Sequence, residues 1–333
     1  MFRSTKQVWL AATAVAAGVV LTLSACTGTG AVDKQKDANT QAAASTSGKY
    51  TFAVITHAAP GDTFWDVVKT GAMAGGKAMG DKVTYQGDPD VQKQSQLIES
   101  AIAQKVDGLV VSMANPEGLK GALADATKAG IPFVTINSGL AQSQEYGAIT
   151  HVGQDEELAG ESVGKRLDSE GLKNVLCIIH EAGNQGLEQR CDGIKKTFTG
   201  TVKNVQVDIN NVADAGNTIK SALLSDTSVD GVVALNPEVA VAAEQARDNA
   251  GSKAKVATFD VSSDVLKLIE QGKILFAVDQ QQYLQGYLPI VFLHLYKSNG
   301  NTVGGGMPVY SGPGYITKDN AAQVAKYAKN GTR

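Results

Sequence analysis

Short apolar segments rich in β-branched residues alternate with helical segments along most of this 333-residue chain. The first segment, 50–56 (YTFAVIT), is followed by a Pro-Gly break and then by apolar residues at helical spacing, and the same unit recurs in two successive sets. The predicted strands are 50–56, 82–86, 107–112, 132–136, 147–152, 174–180, 204–209, 230–235, 255–259 and 274–278. Strands that alternate with helices form parallel sheets covered on both faces, so the pattern predicts an α/β chain with two doubly wound lobes.

Polar and aromatic side chains follow most of these predicted strands. In open α/β sheets the ligand binds beyond the carboxyl ends of the strands, so these positions are the candidates for a binding site. They are His57, Asp62, Phe64, Trp65, Asn137, Ser138, Asn184, Arg190, Asn236, Asp260 and Gln280. Amides and carboxylates satisfy hydroxyl groups, arginine offers a planar fork of donors, and an aromatic face covers the C–H face of a sugar ring. The set predicts a small, neutral, polyhydroxylated ligand.

Several of these residues also have a simpler structural explanation. Asp62 is placed to be a helix N-cap, Asn236 and Asp260 are typical turn residues, and Arg190 is typical of a surface ion pair. Phe64 and Trp65 are adjacent on a predicted helix, so we expect one ring to face the ligand and the other to enter the core.

Enzyme signatures are absent from the sequence. No second histidine follows His180 at the spacing of a zinc helix, and no G-x-S-x-G or Walker A sequence is present. We therefore expect a binding protein without a cofactor or metal. A carbohydrate hydrolase with Asp62 and Asp260 as its two carboxylates is the remaining enzymatic alternative.

The N-terminal residues have the pattern of a secretory targeting signal. Residues 1–26 read MFRSTKQVWLAATAVAAGVVLTLSAC, a short positive start, an apolar run and then Leu-Ser-Ala-Cys. This pattern predicts a lipoprotein signal peptide over 1–25, a lipid on Cys26 and a flexible tether over 26–48. We expect the protein to be extracytoplasmic and anchored to the cell membrane by that lipid.

The two other cysteines, Cys177 and Cys191, form an even pair in what would be an oxidising compartment. The sequence is compatible both with a disulfide and with two separate buried thiols. Neither cysteine has a second cysteine or a histidine at the spacing of metal ligands. The formal net charge is −3 and basic residues do not cluster beyond pairs such as Lys195-Lys196, so we expect no nucleic-acid partner.

The chain resembles type I periplasmic binding proteins of the ribose-binding cluster, which are the solute receptors of ABC importers. The resemblance covers about 49–320 and is carried by the N-terminal Leu-Ser-Ala-Cys and by five segments. These are AVITHAAPGDTFWDVVKTGA, DGLVVSMANPEGLKGALADATKAGIPFVTINSG, EQRCDGI, VDGVVALNPEVAVAAEQA and KVATFDVSSDVLKLIEQGKILFAVDQQQYLQGY.

The resemblance implies two lobes joined by a three-strand hinge that close on the ligand. The N-terminal lobe would contain 49–151 and 280–305, and the C-terminal lobe 152–279 and 306–333. The family's ligand positions fall on Asp62, Phe64, Trp65, Asn137, Ser138, Arg190, Asn236, Asp260 and Gln280.

Two positions depart from the ribose receptors. Those proteins carry an Asp-Arg pair where this chain has Asn137-Ser138. They also carry an aromatic residue in the second lobe at a position that falls near Ala215 in this chain. A different sugar, an inositol or a linear polyol is therefore an equal candidate, with His57 and Asn184 as further contacts. The expected function is a monomeric solute receptor that binds a carbohydrate or polyol and docks on an ABC permease. The alternative is a ligand-sensing domain that partners a membrane signalling protein.

Overall fold

In the computed structural model, which describes residues 50–333, twelve strands assemble into two six-stranded sheets. The strands are β1 Thr51–Thr56, β2 Lys82–Gly87, β3 Gly108–Ser112, β4 Phe133–Ile136, β5 His151–Gly153, β6 Asn174–Ile179, β7 Thr201–Gln206, β8 Gly231–Ala234, β9 Lys255–Phe259, β10 Ile274–Asp279, β11 Val309–Tyr310 and β12 Gly314–Ile316. The first sheet has the order β11-β5-β4-β3-β1-β2 and the second β12-β10-β9-β8-β6-β7. Every neighbouring pair is parallel except β10 and β12. The prediction of two doubly wound lobes is confirmed.

Eleven α-helices lie among the described residues and connect or cover these strands. They are α1 Thr63–Met79, α2 Val91–Ala103, α3 Pro116–Lys128, α4 Leu140–Ser143, α5 Glu156–Ser169, α6 Gln185–Thr197, α7 Val212–Ser225, α8 Pro237–Asn249, α9 Ser263–Glu270, α10 Gln282–Asn299 and α11 Ala321–Ala328. None of the helices within 50–333 is both long and apolar enough to cross a membrane. The signal peptide predicted over 1–25, the lipid on Cys26 and the tether over 26–48 lie outside the described residues.

Strand β1 shows why the sheets are covered on both faces. Phe52 and Val54 pack into one apolar cluster, while Ala53 and Ile55 pack into the cluster on the opposite face. Because successive strand residues point to opposite faces, a strand buried on both sides reads as a continuous apolar run. The run TFAVIT is therefore a consequence of its central position between β2 and β3.

Helices α1 and α10 pack closely on the first sheet because each contributes a glycine to the contact. A Cβ on Gly71 would lie 2.1 Å from the carbonyl oxygen of Tyr283, and one on Gly286 would lie 1.9 Å from that of Val68. Any larger residue would force the helices apart. This packing fixes α10 against the helix whose N-terminus reaches the candidate site.

The chain passes between the two sheets at three places: after β5, after β10, and between β11 and β12. The expected boundary at 305–306 is wrong, because Val309 and Tyr310 pair with Val152 and Gly153 of β5 and so belong to the first sheet. A strand of two residues has no periodicity from which its sheet can be predicted.

Both sheets lie within one compact unit, Thr46–Arg333, which can therefore be studied by itself.

Candidate functional site

One pocket lies between the carboxyl ends of the two sheets. Its cavity volume is about 30 Å³, so the closed lobes leave little free space between them. Its lining residues are His57, Asp62, Phe64, Trp65, Asn137, Ser138, His180, Glu181, Asn184, Leu187, Arg190, Leu235, Asn236, Asp260 and Gln280. All eleven residues predicted from the sequence to contact a ligand are in this set. We call this space the inner pocket.

Three helix N-termini point at the inner pocket, and each has an Asp or Asn cap. Asp62 accepts a hydrogen bond from Phe64 N on α1, Asn184 from Gly186 N on α6, and Asn236 from Glu238 N on α8. These residues therefore cap helices and line the pocket at the same time, so the two explanations do not exclude each other. Since a cap lies just after a strand and before a helix, capping places its polar side chain at the carboxyl edge of the sheet.

Two further site residues occupy turns with positive φ. Asn137 follows β4 with φ of 62°, and Asp260 follows β9 with φ of 66°. Asn and Asp tolerate this left-handed region better than other side chains because their short polar groups bond locally. The turn directs both side chains into the inner pocket.

Phe64 and Trp65 both line the inner pocket, and both also pack into the apolar cluster of the first sheet. The expectation that one ring faces the ligand while the other enters the core is therefore wrong. Both lie in the first turn of α1, whose end faces the pocket, and neighbouring positions there flank the same space. The two rings pack edge to face with centroids 4.9 Å apart, and Trp65 also packs edge to face on His57 at 4.7 Å.

Arg190 is held rigidly from behind by a residue that the sequence did not reveal. Glu156, at the start of α5, accepts hydrogen bonds from Arg190 Nε at 2.6 Å and Nη2 at 2.9 Å. The guanidinium also lies over the ring of Phe259, 4.6 Å from its centroid. These contacts occupy one edge of the fork and leave Nη1 directed toward Leu235 O at 3.5 Å and Asp260 Oδ2 at 4.0 Å.

Asp260 ends a chain of amide hydrogen bonds. Gln285 and Asn137 each donate to Gln280 Oε1, and Gln280 Nε2 donates to Asp260 Oδ2 at 3.0 Å. The other carboxyl oxygen, Oδ1, is buried without a partner among the described residues, so it is available to accept from a ligand hydroxyl. Burial raises the pKa of Asp260 well above its ordinary range, against the opposing charge of Arg190.

Residues of the two lobes also bond directly to each other across the pocket. Asn236 Nδ2 donates to Asp62 Oδ1 at 3.4 Å, and Ser138 Oγ donates to Asn184 Oδ1 at 3.3 Å. Burial and the nearby carboxylates of Glu238 and Glu181 raise the pKa of Asp62 to about 7. The structure is therefore a closed form in which both lobes contribute to one site.

The inner pocket contains two neutral imidazoles. Burial, reinforced by the charge of Arg190, lowers the pKa of His57 and of His180 to about 3. His180 was not predicted as a contact, nor were Glu181, Leu187 and Leu235, although His180 and Glu181 directly follow β6. Within 50–333, no group of three His, Cys, Asp or Glu side chains is arranged to hold a metal ion.

Cys177 and Cys191 are joined by a disulfide in the structure, with Cα atoms 5.9 Å apart. It links β6 to α6, the helix that carries Arg190, and both cysteines are fully buried. The crosslink therefore fixes the helix that presents the guanidinium to the inner pocket.

Residues 52–301 match the family described as periplasmic binding protein domain. This match covers three quarters of the chain and includes both sheets apart from β11 and β12.

One similar solved structure is a carbohydrate transporter from Acidothermus cellulolyticus in complex with myo-inositol. It is 43% identical, the superposition covers 85% of this chain and 99% of that chain, and the TM-score is 0.84.

Among curated relatives, the ribose import binding protein RbsB of Haemophilus influenzae is 25% identical over 68% of this chain and 79% of its own length. The xylose/arabinose-binding protein XylF of Sulfolobus acidocaldarius is 26% identical over 67% of this chain, and the alignment spans 60% of that protein.

Proposed function

The chain belongs to the family of periplasmic binding protein domains, and we propose that it is the extracytoplasmic receptor of an ABC importer that binds one neutral sugar or polyol. The observation that carries the proposal is the convergence on the inner pocket of eleven side chains from both lobes that follow strands or begin helices. Their amides, carboxylates and single arginine match the paired donor and acceptor character of hydroxyl groups. We propose these eleven residues as the ligand contacts.

The expected ligand is a compact cyclic polyol, with myo-inositol as the first candidate. The rings of Phe64 and Trp65 line the inner pocket, where they are placed to cover a C–H face. The related Acidothermus protein, which was crystallised with myo-inositol, supports this choice. Arg190 would give Nη1 to one ligand oxygen, and Asp260 Oδ1 would accept from a hydroxyl.

The mechanism is closure driven by differential binding. Ligand hydroxyls that bond to both lobes lower the free energy of the closed form relative to the open one. The closed receptor would then dock, as a monomer, on a membrane permease whose own ATPase supplies the energy. We also propose that Cys26 carries the lipid that anchors the protein; incorporation of labelled fatty acid into the full chain, and its loss in Cys26→Ser, tests that step.

Isothermal titration of Thr46–Arg333 with myo-inositol, ribose, xylose, xylitol, galactose and a control amino acid tests the binding function. We expect saturable binding of myo-inositol that raises the melting temperature as the ligand concentration rises. Binding of the amino acid, with no response to any polyol, would contradict the proposal. Loss of labelled polyol uptake in cells lacking the gene separates import from the alternative role in signalling.

A further inference from the structure

A second, larger cavity lies directly outside the inner pocket. Its volume is about 610 Å³ and it opens to solvent; we call it the outer chamber. Four residues line both spaces: His57, His180, Glu181 and Asn184. These four side chains, here called the wall, separate the two cavities.

The wall is held together by the amide of Asn184. Its Nδ2 donates to Glu181 Oε2 at 2.5 Å and lies 3.5 Å from Nε2 of His57, whose lowered pKa leaves that nitrogen free to accept. His57 is fixed in turn by Ser112, whose Oγ lies 2.7 Å from Nδ1. His57 lies in the first lobe and the other three wall residues in the second, so the wall forms only when the lobes close.

We propose, on the basis of the proposed function, that this wall determines ligand size by admitting an unsubstituted ring and rejecting its glycosides. A bulky substituent on the ring would have to pass between His57 and Asn184, and it would prevent their contact. Closure would then leave the buried Nε2 of His57 without its partner Asn184, which costs free energy that the ligand must replace.

The chemistry of the outer chamber defines which substituent would enter if the wall were removed. Val91, Val207 and Ile209 supply apolar surface, and Asp208 and Asp214 add two carboxylates. None of the described residues that line this chamber is lysine or arginine. The chamber is therefore suited to a neutral glycosyl group and unfavourable for a phosphate ester.

The test uses variants that shorten the wall without disturbing the fold. Glu181→Ala removes a carboxylate in a loop, and Asn184→Ser shortens the amide while keeping an N-cap for α6. Glu188→Ala, an exposed carboxylate on α6, is the matched control. Titrations of Thr46–Arg333 compare myo-inositol with its α-galactoside.

We expect the unmodified protein to prefer myo-inositol by about 100-fold or more, and the double variant Glu181→Ala/Asn184→Ser to reduce that preference at least about tenfold. Glu188→Ala should leave the preference unchanged. Equal affinity of the unmodified protein for both ligands, or an unchanged preference in the double variant, would overturn the proposal.

A second measurement does not depend on the identity of the ligand. Trp65 is the single tryptophan of Thr46–Arg333, it lines the inner pocket, and it packs on His57 of the wall. Removing the wall should let acrylamide quench Trp65 fluorescence more strongly, and unchanged quenching would contradict the wall. If the unmodified protein binds neither ligand, the myo-inositol assignment fails, while the quenching measurement still decides whether the wall seals the pocket.

Discussion

Glu156 and Arg190 form a bidentate ion pair behind the inner pocket, with both side chains almost entirely buried. Only Arg190 lines the pocket; Glu156 lies on its far side and has no place in the lining. The pair therefore divides two tasks, because one residue presents donors to the ligand and the other holds the donor group in position. This division makes the two residues separable by experiment.

Glu156→Gln should weaken ligand binding and also reduce stability. The glutamine cannot compensate the buried guanidinium charge, and breaking such a buried pair costs about 3 kcal/mol or more of unfolding free energy. Denaturant unfolding and isothermal titration of the same variant measure both effects. Glu157→Gln, at the exposed neighbouring position, is the control and should change neither; an unaltered Glu156→Gln would contradict the positioning role.

Arg190→Lys should reduce affinity by about 2 kcal/mol, roughly 30-fold, because an ammonium group cannot bond to both Glu156 oxygens and to a ligand oxygen in the fixed geometry of the guanidinium. Titration with the identified ligand measures the loss. Far-ultraviolet circular dichroism of the variant confirms that the lobes remain folded. Unchanged affinity would remove Arg190 from the site.

Most of the candidate site could be predicted because two patterns determine where it lies. The alternation of strands and helices requires parallel sheets. The carboxyl ends of the strands in each sheet meet at one edge, which places His57 and Asn137 at that edge of the first sheet and Asp260 at that edge of the second. Helix caps add Asp62 at the edge of the first sheet and Asn236 at the edge of the second. Neither inference needs any knowledge of side-chain packing.

The features that the sequence did not reveal depend on that packing. Glu156 reads as an ordinary acidic residue in a first helical turn, and its partner Arg190 is 34 positions away. Helix α10 carries Pro289 in its interior, which obscures an 18-residue helix. Strand β11 is too short to have a period, so its pairing with β5 follows only from the three-dimensional structure.

Asp62 should make stability fall as the pH rises from about 4 to about 7. Its folded-state pKa of about 7 lies above the ordinary value of 3.8, so within this interval the folded protein binds more protons than the unfolded chain. Asp62→Asn keeps the helix cap and removes the titration. The variant should therefore be the more stable protein at pH 8, by up to about 4 kcal/mol.

Denaturant unfolding of both proteins at pH 5 and pH 8 checks this difference. His57 and His180, whose folded-state pKa values are lowered, destabilise the fold as the pH falls below about 6.5, but they do so in both proteins and cancel in the comparison. A stability difference that is the same at the two pH values would show that Asp62 does not titrate in this interval.

The Cys177–Cys191 disulfide should stabilise the second lobe, because it closes a short loop in the unfolded chain. The cysteines are 14 positions apart, and a loop of about this length contributes roughly 3 kcal/mol in the chain-entropy description.

Thr46–Arg333 contains no other cysteine, so the folded protein should show no free thiol before reduction and two after it. The double variant Cys177→Ala/Cys191→Ala should melt at a lower temperature and bind ligand less tightly, because α6 then holds Arg190 less rigidly. Reactive thiols in the unreduced protein would contradict the crosslink, and an unchanged affinity would separate the disulfide from the positioning of Arg190.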